Sequence, residues 1–128
     1  MATEDPRRRI GAAGERLAAR HLEARGFLLL DRNFRTRDGE LDLVAADDRY
    51  LVFCEVKARI AASGPRQAEP LAAVDRRKRL RLRRMARTWL AQRVDARPYP
   101  AQIRFDAIGI TFDRAGALLA LEHVENAF

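Results

Sequence analysis

The chain has 128 residues, 48% hydrophobic and 34% charged, with a formal net charge of +7. This balance fits one soluble globular domain over residues 1–128. It excludes a disulfide framework and a cysteine zinc site, because Cys54 is the only cysteine.

No apolar run reaches the roughly 18 residues of a membrane span, so no membrane partner is expected. The opening MATEDPRRRI lacks the apolar stretch of a secretory signal, and a cytoplasmic location is expected. The positive charge favours polyanions and makes nucleic acid the leading expected partner. Of the 25 basic residues, all are arginine except Lys57 and Lys78. A lysine ammonium is compact and can shift its pKa, which a guanidinium cannot do.

Residues 1–6 are polar, end in proline and are expected to be disordered. Residues 7–25 follow a helical period, with Ile10, Ala13, Leu17, Ala18 and Leu22 forming the apolar stripe and Gly26 stopping it. Glu15 lies on the flank of that stripe and reads by default as a surface residue. The small neighbours Gly11, Ala12 and Gly14 would let the helix approach a sheet closely. A first strand is expected over residues 27–34, then strands over 41–46 and 51–56 around the polar tip Asp47-Asp48-Arg49.

This hairpin carries the chemistry. Side chains alternate along a strand, so Glu40 and Asp42 share one face, and Glu55 and Lys57 share one face of the next strand. Paired as a hairpin, all four are expected to converge on one patch. Carboxylates brought together repel unless a cation or a proton compensates. A hard divalent cation such as Mg²⁺ takes one or two protein carboxylates, which Asp42 and Glu55 supply. Lys57 is placed to orient a water or steady charge on a phosphate. With no histidine or cysteine nucleophile in the cluster, the residues point to metal-assisted phosphodiester hydrolysis.

Residues 59–70 are expected to form a flexible loop beside the patch. Residues 71–93 read as a helix, with Leu71, Val74, Leu82, Met85, Ala86, Trp89 and Leu90 apolar. Arg76, Arg79, Arg83 and Arg87 form a ridge away from that stripe. Like charges on one helix face repel, and nucleic-acid phosphates would relieve them. Arg35, Arg37 and Arg59 are grouped with the ridge as candidate nucleic-acid contacts. Lys78 aligns with Val74 and Leu82 and can reach the acidic patch. Prolines break the helix at residues 96–100, a strand follows over 102–112, and an edge strand over 118–124. His21 and His123 read as isolated. The order is αβββαββ, an α/β fold whose mixed sheet is covered by helices.

Asp42 followed by Glu55-Val56-Lys57 on the next strand looks like the PD-(D/E)XK nuclease signature, with Leu41 where its proline would stand. The chain more closely resembles the YraN-like family of small bacterial proteins. The likeness rests on Gly14-Glu15, Asn33-Phe34-Arg35, Gly39-Glu40-Leu41-Asp42-Leu43, the run from Val52 to Arg59, Trp89-Leu90, Arg104-Phe105-Asp106 and Glu125-Asn126-Ala127-Phe128. The resemblance implies a restriction-endonuclease-like core of about five strands, similar to archaeal Holliday-junction resolvases. It implies Asp42 and Glu55 as ligands of Mg²⁺ or Mn²⁺, Lys57 as catalytic lysine and Glu15 as an additional acid of the site. Glu40 is not made a ligand by it and is expected to orient Arg35 or Arg37. The expected function is a metal-dependent endonuclease on DNA, branched or junction DNA included, working as a homodimer. The alternative is a nucleic-acid-binding or accessory protein that keeps the fold without turnover.

Overall fold

A computed structural model describes residues 5–61, 76–93 and 102–128. The order is α1 (Pro6–Ala24), β1 (Leu28–Thr36), β2 (Gly39–Ala46), β3 (Tyr50–Ile60), α2 (Arg76–Gln92), β4 (Gln102–Phe112) and β5 (Leu118–Val124). The strands form one five-stranded sheet in the order β1-β2-β3-β4-β5, antiparallel except for the parallel pair β3–β4. The mixed sheet and its two flanking helices are the arrangement expected of a restriction-endonuclease-like core. Among the described residues, no helix is long and apolar enough to cross a membrane.

Each helix covers one face. Ala18, Ala19 and Leu22 of α1 pack on Leu43, Ala45, Val52, Cys54, Ile108 and Ile110. Leu82, Met85, Ala86 and Trp89 of α2 pack on Val44, Leu51, Phe53 and Ala107 across the sheet. Trp89 anchors the second layer: its ring meets Phe53 edge-on with centroids 5.6 Å apart, and its Nε1 donates to Asp31 Oδ2 at 2.9 Å. Burying an indole while satisfying its donor makes this site costly to truncate, by roughly 3–5 kcal/mol.

Helix α1 begins at Pro6, with Asp5 as N-cap accepting from Arg7 N at 3.0 Å. Asp5 and Pro6 are therefore part of the helix start rather than a disordered tail. The side chain satisfies an orphan N–H and proline's fixed φ suits the first helical position. Residues 1–4 lie outside the described part. The glycine at the helix centre works as expected from the small residues: a Cβ on Gly14 would sit 2.7 Å from Ala58 Cβ. Only hydrogen fits there, and α1 rests directly on β3.

Strand β3 runs past Val56 to Ile60, because β4 pairs with it from Tyr50–Gln102 to Ile60–Phe112. Arg59 and Ile60 are thus strand, not loop, and the rest of the expected loop, residues 62–70, lies outside the described part. The same holds for residues 71–75 of the expected helix, Leu71 and Val74 included, and for the prolines at 98 and 100. Strands β4 and β5 have the expected bounds.

Candidate metal centre

The ladder between β2 and β3 pairs Leu43 with Cys54 through Ala46 with Leu51 and goes no further toward Gly39. Two residues apart on β2, Leu43 packs under α1 while Leu41 packs under α2. Alternation therefore slips between them, where β2 parts from β3. Asp42 sits at this parting and fills it: its Oδ2 accepts from Val56 N at 2.8 Å. A backbone donor that the ladder no longer serves finds its partner in the carboxylate.

Turned this way, Asp42 joins Glu40 and, from α1, Glu15. One ligand oxygen from each lies within 4.8 Å of the others. Asn33 on β1 ties two of them together. With its amide nitrogen facing the acids, as their acceptors require, it donates to Glu15 Oε2 at 2.9 Å and to Glu40 Oε1 at 2.7 Å. Arg35 closes the outer side, its Nε 3.5 Å from Glu40 Oε2. Glu40 thus pairs with an arginine as expected, and it is also a full member of the acidic group.

The electrostatics follow from this crowding. Burial, followed by the charges of Glu15, Glu55 and Glu40, pushes Asp42 up to about 7 against the single Val56 hydrogen bond. Burial and Glu40 also raise Glu15, while the Asn33 bond opposes them.

The expected convergence of four groups on one patch is not what forms. Glu55 projects on the opposite face of the sheet, between Phe53 and Lys57, and its Oε2 meets Lys78 Nζ of α2 at 2.9 Å. That oxygen is sealed from solvent and makes no aligned hydrogen bond. Had the β2–β3 ladder continued, Asp42 and Glu55 would have faced one another; its end at Leu43 turns Asp42 to the α1 side. Lys78 does reach an acid of the expected patch, and it also lies 5.7 Å over the Phe128 ring. Lys57 is exposed beside Glu55.

The donor set fits a hard divalent cation. Three carboxylates supply oxygen only, and a 2+ charge would offset the burial and repulsion that push Asp42 up. Glu15, Glu40 and Asp42 could hold it, with Glu55 near enough to contribute field.

The basic residues divide. Arg76, Arg79, Arg83 and Arg87 are all exposed on α2. The first three, with Leu80, line an open concavity of about 510 Å³. Arg84, not singled out from the sequence, pairs with Asp38 at 3.3 Å and pins α2 to the β1–β2 turn. Arg59 donates to Thr111 Oγ1 at 3.3 Å, and Arg37 is exposed in the turn.

A second polar cluster lies beyond Cys54. Asp106, fully buried, accepts from Arg104 Nε at 2.9 Å and from its second guanidinium nitrogen at 2.8 Å. It also accepts from Asn126 N at 2.9 Å, and His123 Nε2 lies 2.8 Å away. His123 Nδ1 in turn lies 3.0 Å from His21 Nε2. The two histidines expected to be isolated are therefore bonded to one another across α1 and β5. Their separation of 102 residues in sequence hid this. Arg104-Phe105-Asp106 and the last four residues were visible as motifs, but nothing local marks them as one cluster.

A family model described as "Uncharacterised protein family UPF0102" matches residues 14–110. A UPF0102 protein of Frankia alni is 45% identical over 119 residues, 93% of each chain. One of Beutenbergia cavernae is 48% identical over 115 residues, 90% of this chain and 92% of the relative. One of Pelotomaculum thermopropionicum is 42% identical over 124 residues, 97% and 98% of the two.

Proposed function

The chain belongs to the uncharacterised protein family UPF0102, the YraN family, and from that premise we propose that it is a metal-dependent phosphodiester hydrolase acting on DNA. The observation that carries the reading is the convergence of Glu15, Glu40 and Asp42 at the parting of β2 and β3, with Asp42 pushed to about 7. Carboxylates gathered at such a cost to their own ionisation mark a site that awaits positive charge.

Bound there, Mg²⁺ or Mn²⁺ would lower the pKa of a water and offset charge on the phosphate. The chain's own groups do the rest. Glu15, Glu40 and Asp42 would hold the cation, and the Val56 N–H keeps Asp42 oriented. Lys57, exposed on the Glu55 side of β3 one residue past the Val56 amide that holds Asp42, would have to reach around the strand to offer its ammonium to the charge that builds as water attacks phosphorus and the P–O bond breaks. The exposed arginines of α2 bind the phosphate backbone, and salt weakens that binding. Junction DNA and a homodimer, whose two sites would cut two strands symmetrically, belong to this reading.

One contact favours a second reading, a nucleic-acid-binding or accessory protein without turnover. Glu55, the acid of the Glu-Val-Lys signature, is engaged by Lys78 rather than by the acidic group.

One experiment separates the two. The purified protein is offered duplex, single-stranded and four-way-junction DNA and structured RNA, with and without Mn²⁺. Cleavage that depends on Mn²⁺ and is lost in both Asp42→Ala and Lys57→Ala, with binding retained, supports the hydrolase. Cleavage that survives both changes overturns it, and binding without any cleavage supports the second reading. Arg83→Glu with Arg87→Glu should weaken binding under either reading.

A further inference from the structure

Asn33 stands out on the backbone as well as in the site. It is one of two non-glycine residues with positive φ among those described, at +51°. It lies within β1, flanked by the pairs Arg32–Leu43 and Phe34–Leu41, which place it across from Asp42. Left-handed backbone inside a strand is disfavoured for L residues, and asparagine tolerates it better than most. Such conformations persist where surrounding structure holds them, and they concentrate at functional sites. The consequence is visible in the contacts: Phe34 packs beneath α2, while Asn33 presents its amide to Glu15 and Glu40 on the α1 side.

We infer that Asn33 is the positioning residue of the acidic site, its amide N–H groups holding Glu15 and Glu40 together so that they meet a cation preassembled. The inference rests on the metal-site reading above. Two carboxylates from different elements, α1 and β2, have no covalent reason to stay adjacent and an electrostatic reason to separate. A neutral double donor between them supplies attraction without occupying a ligand position. The amide also meets Glu15 Oε1 at 3.2 Å, and Glu40 Oε2 faces Arg35 at 3.5 Å; each carboxylate oxygen keeps a further acceptor site for a cation. Aspartate at 33 would tolerate the same backbone but would add a fourth negative charge. Glutamine would add a methylene to a gap already spanned at 2.7 Å. Asparagine combines the donor, the reach and the permitted φ.

The test is Mn²⁺ binding by calorimetry on wild type, Asn33→Gly and Asn33→Ala, with melting temperatures measured without metal. Glycine accepts the positive φ and deletes only the amide, so a purely structural role predicts no change in affinity. Removing a partner that orients ligands typically costs 10–100-fold in metal affinity. The expected result is a loss of at least about 10-fold in both variants. Asn33→Gly should melt near wild type, and Asn33→Ala lower, because alanine resists this backbone. Wild-type affinity in Asn33→Gly overturns the positioning role while leaving the metal site standing. A wild-type protein that binds no Mn²⁺ overturns the site and this inference together.

Discussion

Two aspartates on one sheet, Asp106 buried and Asp42 half-buried, are treated in opposite ways. Asp106 has no solvent exposure, and burial by itself would raise it. Hydrogen bonds from His123, Arg104 and Asn126 more than offset this and hold it below the usual carboxylate range. Asp42 has one backbone donor and three acidic neighbours, and it is pushed up to about 7. Cys54 lies between them, raised by burial and then by the charges of Asp106, Asp42 and Glu55. Burial pushes both aspartates up, so satisfaction decides the outcome. A fully bonded acid is a structural member, whereas a crowded and under-bonded one stores free energy that a ligand can release.

The largest expected effect breaks the satisfied side. Asp106→Ala leaves the buried Arg104 guanidinium without its bidentate partner, with the half-exposed Glu125 at 3.8 Å and the rings of Tyr50 at 4.7 Å and Phe27 at 5.5 Å beside it. A buried charge deprived of its partner costs roughly 3–5 kcal/mol, to be read from denaturant unfolding. A loss under about 1 kcal/mol would show that the cluster contributes little, contrary to the weight given to buried pairs.

On the other side, neutralisation should help. Asp42's folded pKa of about 7 exceeds its ordinary 3.8, so the folded protein holds that proton more tightly than the unfolded chain does. Without metal, the penalty is absent below the ordinary value, grows as pH climbs between the two, and is complete above the folded one. Asp42→Asn should therefore be more stable than wild type at pH 8 by roughly 2–4 kcal/mol, with the gap closing toward pH 4. Asp106 slopes the other way, contributing stability above its ordinary pKa that disappears only as pH falls through its depressed one. Parallel unfolding curves for the wild type and Asp42→Asn across this range would refute the assignment of strain to Asp42.

Metal should erase the difference between the two aspartates. Mn²⁺ at 100 times its dissociation constant should stabilise the wild type by about 2.7 kcal/mol and leave Asp42→Asn unmoved, measured as a melting shift. Equal shifts in both proteins would place the metal elsewhere.

The smallest expected effect displaces Glu15 without touching an acid. Alanine at Gly14 gains about 1 kcal/mol of helix propensity but forces its methyl against Ala58, and overpacking costs 1–3 kcal/mol. The net loss should be about 1 kcal/mol, with weaker Mn²⁺ binding because α1 lifts from β3. Unchanged Mn²⁺ affinity in Gly14→Ala would mean that Glu15 adds nothing as a ligand.

How far the site could be read in advance differs by residue. Asp42, Glu15 and Lys78 were each placed near other acids or motifs by period and resemblance, and the structure puts all three in polar contacts at the sheet's centre. The resemblance gives Glu40 an orienting role and no ligand role, yet it lies with Glu15 and Asp42. Asn33 was legible only as part of a motif, because no local pattern announces a left-handed residue inside a strand.

The sequence by itself determined the seven elements, since strand and helix periods are properties of neighbouring residues and hydrophobic burial enforces them. It also determined the family, the arginine face of α2 and the presence of an acidic hairpin. The faces of that hairpin were decided only in three dimensions. Alternation assigns a side chain to a face for as long as the ladder persists, and the β2–β3 ladder stops at Leu43. Beyond it, Asp42 answers to the Val56 amide and to an acid on α1, and Glu55 to a lysine on α2. The His21–His123–Asp106 chain arose the same way, from three elements whose meeting no local spacing encodes.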